Sequence, residues 1–224
     1  MLMHEVRCFA RVLQCSTDQI RVFDLLSGVP TERHLAAADI VLLGGSGDYS
    51  VAEGGTWLPA ALEAMRQLYE LAKPTFASCW GFQAMARALG GEVVTDLARA
   101  EVGAHQVHLT PAGQADPIFG PLGKTFFAQM GHQDIVVRLP ANATRLASTE
   151  RVENQAFCFA KKPIYCTQFH PELNRRELLE RVSAYPQYVQ RITGLSLEEF
   201  AATCRETPGV DGLLTRFVQH VLEA

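Results

Sequence analysis

Three short stretches of the chain carry side-chain types that could act on one another chemically. Ser78-Cys79-Trp80-Gly81-Phe82-Gln83 follows a short apolar run and opens a helical pattern. A thiol at such a strand-to-helix turn is held exposed, and the glycine two residues on leaves room for the helix to lie against a sheet, a cysteine counterpart of the nucleophile elbow. The positive end of the new helix points at the sulfur and favours its thiolate. Roughly ninety residues downstream stands Thr167-Gln168-Phe169-His170-Pro171-Glu172. Side chains two apart in an extended segment share a face. Glu172 can therefore hold one ring nitrogen of His170 and leave the other to take a proton from a thiol, the base-and-orienter logic of a catalytic triad. The third stretch, Leu42-Leu43-Gly44-Gly45-Ser46-Gly47-Asp48, is a strand running into a glycine-rich loop whose amides can approach a developing oxyanion. A phosphate cradle fits it poorly, since no Gly-Lys-Ser/Thr follows and the glycine spacing is wrong.

Each stretch has a plainer reading when taken alone. A cysteine after a strand is often inert core, a His beside a strand-ending Pro is often a surface group, and a glycine run is often only a turn. His170 and Glu172 as metal ligands lack a third ligand at suitable spacing, and His105 and His108, three apart in an expected strand, face opposite sides. No metal and no cofactor is expected. Cys8, Cys15, Cys158, Cys166 and Cys204 are read as small fillers of apolar space.

Short apolar runs alternate with helical patterns, which argues for an α/β protein built largely on a parallel sheet. Strands are expected at Val6–Leu13, Gln19–Asp24 and Asp39–Leu43, then at Thr75–Ser78 leading into Cys79. Between them Trp57–Ala72 places Leu58, Ala61, Leu62, Met65, Leu68 and Tyr69 on one face of a helix. Phe82, Met85, Ala86 and Leu89 give a second helix, stopped by Gly90-Gly91. Residues 91–170 read as short strands, and the chain after Glu172 as helical, with a capping box at Ser196-Leu197-Glu198-Glu199. Leu213, Leu214, Phe217, Val218, Val221 and Leu222 form a last amphipathic stripe.

The chain has 224 residues, 48% of them hydrophobic and 20% charged, with a net charge of −4 and no basic block. That composition excludes a disordered or coiled-coil chain and gives no nucleic-acid footprint. No apolar run approaches the length of a membrane span, and the first residues lack a secretory leader's basic and apolar regions. Six irregularly spaced cysteines without a CxxC pair suggest reduced thiols and a cytoplasmic setting.

Jointly, Cys79-Trp80-Gly81-Phe82-Gln83, Gln168-Phe169-His170-Pro171-Glu172 and the Gly44-Gly45 loop resemble the class I (triad) glutamine amidotransferases, most closely the branch that holds the glutaminase domain of GMP synthase and its stand-alone relatives. Met130-Gly131-His132-Gln133-Asp134 resembles that branch's Met-Ser-His-Gly-Asp pattern. One departure is Ala77, where the family has glycine. The likeness spans roughly residues 39–173. It implies one domain of three-layer α/β/α, flavodoxin-like architecture with a mixed, mainly parallel sheet, followed by a helical extension over 174–224.

Carried onto these residues, the resemblance makes Cys79 the nucleophile, His170 the base and Glu172 its orienter. Gly45 and the Trp80 amide would form the oxyanion hole. Gln83 and the backbone of Gln129, Met130 and Gly131 would hold the amino-acid end of a γ-glutamyl substrate, while His132 and Asp134 fit the pattern or only fix a loop. The implied reaction is hydrolysis of glutamine to glutamate and ammonia through a γ-glutamyl thioester. No nucleotide-synthesising segment follows residue 173, so an acceptor for ammonia would lie on a separate synthase subunit. Two alternatives stand beside this: a γ-glutamyl peptidase with the same triad, and a non-catalytic regulatory subunit.

Overall fold

A computed structural model describes residues 1–223; Ala224, the last residue of the expected helical extension, lies outside them. In chain order the elements are α1 (Leu2–Leu13), α2 (Glu32–Ala36), β1 (Val41–Leu43), α3 (Leu58–Glu70), β2 (Thr75–Ser78) and α4 (Trp80–Ala88). Next come β3 (Glu92–Thr95), β4 (Glu101–Leu109), α5 (Pro111–Ala115), β5 (Thr125–His132), β6 (Asp134–Arg138), β7 (Ala143–Ser148), β8 (Ala156–Phe159) and β9 (Lys162–Thr167). Four helices close the chain: α6 (Arg175–Ser183), α7 (Pro186–Thr193), α8 (Leu197–Thr203) and α9 (Gly212–Leu222).

Seven strands form a mixed sheet in the order β1-β2-β9-β8-β7-β4-β5, and β3 pairs with β6 in a small ribbon. The pairs β1/β2 and β2/β9 are parallel. The other neighbours in the large sheet are antiparallel. The α/β fold and mixed sheet are as expected, but the parallel part is confined to the three strands that carry the candidate site. The reason lies in the connections. Helix α3 crosses over between the parallel strands β1 and β2, whereas a two-residue turn joins β8 to β9, and a tight turn can link only antiparallel neighbours.

Successive residues of the central strands face opposite layers. Phe76 and Tyr165 point to a cluster with Phe9 and Val12 of α1 and Leu213 and Phe217 of α9. Ala77 and Cys166 point the other way, to Met65 and Leu68 of α3 and Phe82 and Met85 of α4. A third cluster joins Cys8 and Val102 to Leu178, Val182, Val189 and Phe200 of α6–α8. The expected tail is thus packed into the body, and α9 covers one face of the sheet. Leu213, Leu214 and Phe217 of its stripe are fully buried, Val218 and Val221 are partly so, and Leu222 is exposed.

Two expected strands are absent. Residues expected as the strand Val6–Leu13 lie in helix α1, which ends on Gln14 in the left-handed conformation at φ 53°. Val6, Cys8, Ala10 and Val12 alternate as a strand would, yet Val6, Phe9, Ala10 and Leu13 also satisfy the helical period, so the pattern was ambiguous. Gln19–Asp24 pairs with no strand: Thr17–Gln19 is a single 3-10 turn, and Val22 and Phe23 are exposed. Of the expected segment Asp39–Leu43, Val41–Leu43 is strand. No helix of the described residues is long and apolar enough to cross a membrane.

Candidate active site

Cys79 sits between β2 and α4 with φ 51° and ψ −101°, a conformation non-glycine residues avoid. Holding it costs roughly 1–3 kcal/mol, which the surroundings must supply. Its amide donates to the Thr167 carbonyl of β9 at 2.8 Å, and its own carbonyl accepts from the Gln83 amide at 3.1 Å. Gly81 donates to the Gly44 carbonyl at 3.2 Å. A Cβ on Gly81 would lie 2.5 Å from Leu43 Cβ and 3.2 Å from that of Ala77, so α4 approaches β1 only because this residue is glycine. Ala77, where the family has glycine, is accommodated without exposure.

Parallel pairing of β2 with β9 brings the second stretch beside the first. Thr167 Oγ1 donates to the Phe169 carbonyl at 2.8 Å, which turns the chain as β9 ends, and the His170 amide donates to the Gln129 carbonyl of β5 at 2.9 Å. His170 Nδ1 is 2.6 Å from Glu172 Oε1, and both side chains are buried. The Cys79 thiol donates to the Gly131 carbonyl at 3.7 Å, and Cys79 and His170 line the same cavity.

Burial alone would push the His170 pKa down. The Glu172 carboxylate and the Cys79 sulfur outweigh it and raise it to about 10. Burial would likewise raise Glu172, but His170 and then Arg181 hold its carboxyl below the ordinary range. The carboxylate and the sulfur thus favour the charged form of the imidazole against its burial. Opposite charges within a few ångströms in a water-poor site stabilise each other in this way.

The glycine loop reaches the same point. A Cβ on Gly45 would lie 2.8 Å from His170 Cε1, so the loop touches the imidazole through bare backbone. The Gly45 amide donates to Glu5 Oε1 of α1 at 3.0 Å. Trp80 is the first residue of α4, so its amide has no partner within the helix. Arg181 of α6 lies 3.5 Å from Glu172 Oε1 and 3.6 Å from Glu5 Oε1.

Cys79, His170, Gly45, Trp80, Gln83 and Gly131 all line one cavity of about 690 Å³. The other expected substrate contacts are not brought there. Met130 is fully buried in the core beneath the sheet, and Gln129 donates to the Arg205 carbonyl at 3.0 Å. Of that stretch only Gly131 lines the cavity. Gln83 donates to the Asp134 carbonyl at 3.0 Å and to Gln168 Oε1 at 3.2 Å, so its amide nitrogen is engaged in holding the floor of the site. His132 pairs with Glu101 at 3.2 Å. Asp134 accepts from Ser50, Ala52 and Thr95, which fixes the loop after β1 to β3.

Sequence reasoning missed Glu5, Arg181 and Tyr188, which also line the cavity. Glu5 was hidden by reading α1 as a strand. Arg181 and Tyr188 lie on helices whose period signals burial but not which face meets a distant site.

The model of the family Glutamine amidotransferase class-I matches residues 4–182. The chain is 30% identical over 167 residues to a glutamine-hydrolyzing GMP synthase of Streptomyces coelicolor, covering 74% of this chain and 30% of that protein. It is 33% identical over 145 residues to one of Flavobacterium psychrophilum, covering 65% of this chain and 26% of that protein. The chain thus spans less than a third of these relatives. A solved glutamine amidotransferase of Thermotoga maritima shares the fold with a TM-score of 0.78 at 23% identity, over 97% of this chain and 91% of that one. With the family model matched over residues 4–182, most of its length, the chain belongs to the class-I glutamine amidotransferase family.

Proposed function

We propose that the chain hydrolyses the side-chain amide of glutamine with Cys79 as nucleophile. The observation that carries this is the buried pair of His170 and Glu172, 2.6 Å apart, with the imidazole lining the same cavity as Cys79, some ninety residues away in sequence. The sulfur attacks the amide carbon, and the carbonyl oxygen takes up negative charge against the amides of Gly45 and Trp80. His170, holding the proton taken from the thiol, gives it to the leaving nitrogen as the C–N bond breaks. Ammonia departs and a γ-glutamyl thioester remains. Water, losing its proton to His170, attacks the thioester to give glutamate and restore the thiol. Glu172 keeps the imidazole oriented and stabilises its charge.

Gly131 and Gln83, which line the cavity with Cys79, hold the amino-acid end of the substrate in this reading. The likeness to glutamine-hydrolyzing GMP synthases supports assigning the use of the ammonia to a partner synthase subunit. We place the reaction in the cytoplasm, where the six free thiols stay reduced. The test is glutamate release by the isolated chain. Cys79→Ala and His170→Ala should each lose nearly all activity, on the order of a thousandfold or more, and Glu172→Ala less. Turnover by Cys79→Ala at the wild-type rate would refute the mechanism.

A further inference from the structure

Ammonia is the smallest leaving group an amide can have, yet the cavity wall continues well beyond the sulfur as aromatic surface. Trp80, nearly buried beside Cys79, lies with its ring 5.8 Å from that of Trp57. Trp57 in turn lies 5.3 Å from Tyr49 in an edge-on arrangement, and Tyr49 is exposed. All three line the cavity, so they form a path of ring surface from the nucleophile to solvent. Trp80 Nε1 and Tyr188 Oη are buried and have no hydrogen-bond partner among the described residues, and both residues line the same cavity. A buried indole N–H and phenol without partners are costly, and both can be satisfied by an acceptor on a ligand. Glutamine has no flat apolar body to cover the rings.

Resting on the cysteine amidase reading above, we propose that Tyr49, Trp57 and Trp80 form a leaving-group subsite. The substrate class is then γ-glutamyl amino acids whose amine half carries an aromatic or large apolar side chain. That side chain lies along the rings, where stacked and edge-on contacts are favourable, and its carboxylate accepts from Tyr188. The chemistry balances as for glutamine. Sulfur bonds to the γ-glutamyl carbon, the C–N bond breaks, the proton on His170 passes to the nitrogen, and the free amino acid leaves; water then cleaves the thioester. An amino acid in place of ammonia changes the leaving group but no reacting atom of the protein.

The experiment compares kcat/KM of the full chain on glutamine, γ-glutamyl-glycine, γ-glutamyl-phenylalanine and γ-glutamyl-phenethylamide. The phenylalanine dipeptide should exceed the glycine dipeptide about tenfold. Trp57→Ala should abolish that preference while glutamine turnover stays within about twofold, and Trp57→Phe, which keeps a ring and guards against a folding defect, should retain it. Tyr188→Phe should lower turnover of the phenylalanine dipeptide several-fold and spare the phenethylamide, which has no carboxylate. Equal rates on the two dipeptides, or a Trp57→Ala loss shared equally by glutamine, would overturn the subsite and leave the amidase reading standing. Failure of the wild-type chain on all four compounds would overturn both.

Discussion

The Gly45 amide donates to the Glu5 carboxylate at 3.0 Å, which ties the first turns of α1 to the glycine loop beside His170. Burial raises the Glu5 pKa, and the nearby Arg181 guanidinium opposes that shift. In the proposed mechanism the same amide faces the oxyanion of the tetrahedral intermediate, and two negative groups cannot share one N–H. Glu5→Ala is therefore expected to raise kcat/KM for glutamine about three- to tenfold, near 1 kcal/mol of barrier. Steady-state assays of the two proteins decide it; a fall in rate would show that Glu5 supports the loop rather than competing for it.

Gly81→Ala is expected to damage both stability and activity. The added Cβ would stand 2.5 Å from Leu43 Cβ, and neither α4 nor β1 can yield without moving Cys79. Overpacking of this kind costs roughly 1–3 kcal/mol, and each kcal/mol lowers Tm by about 2–4 °C in a chain of this size. Thermal unfolding followed by circular dichroism measures the first effect and glutaminase assays the second. An unchanged Tm would mean that the elbow is less tightly packed than the distances indicate.

How far the site was legible depended on what kind of signal each residue left. Cys79, His170 and Glu172 stood in short stretches where residue type and spacing carry meaning locally, and β2/β9 pairing brought those stretches together. Thr75–Ser78 was legible because an apolar run broken by Cys79-Trp80-Gly81 admits few other readings. α1 was not, because Val6, Cys8, Ala10 and Val12 fit a strand while Val6, Phe9, Ala10 and Leu13 fit a helix, and its packing on α9, some two hundred residues away, decides between them. The antiparallel half of the sheet was hidden for a related reason: strand direction follows from which strands pair, and the run of short strands over 91–170 does not name the partners. Arg181 and Tyr188 left no local signal at all. Their relation to Cys79 is created by the packing of α6 and α7 against β4 and α1.

We propose that residues 1–223 fold as one unit, and α9 provides the test. Phe217 is fully buried, with its ring 5.4 Å from Phe76 of β2 and 6.0 Å from Tyr165 of β9. Removing a buried phenylalanine side chain costs about 3–5 kcal/mol. Phe217→Ala should lower the midpoint of a single transition seen equally by far-ultraviolet circular dichroism and by tryptophan fluorescence from Trp57 and Trp80, on the opposite layer. Two separate transitions would show that the helical tail is its own unit.

The His170–Glu172 pair gives a pH dependence of definite sign. The folded-state pKa of His170 is raised to about 10, from an ordinary value of 6.5, by the carboxylate and the sulfur against the effect of burial. Its contribution to stability is therefore complete below about pH 6.5 and is lost as the pH climbs toward 10. Glu172 is shifted the other way, so its contribution is present above about pH 4.5 and is lost as the pH falls through its depressed value. In the proposed reaction the protonated imidazole delivers a proton to the leaving nitrogen, so kcat/KM should hold well above neutrality before falling on its alkaline side. Glu172→Gln keeps the size of the side chain and removes the charge that raises the imidazole. The alkaline limb should then move down by at least one pH unit, toward the value of a free imidazole near 6.5, and stability should become flatter across pH 7–10. A pH–rate profile of both proteins, with carbon-bound proton signals of His170 followed by NMR, measures the shift directly. A limb that stays in place in Glu172→Gln would mean that the carboxylate does not set the charge of the imidazole, and that the relay does not work as an electrostatic unit.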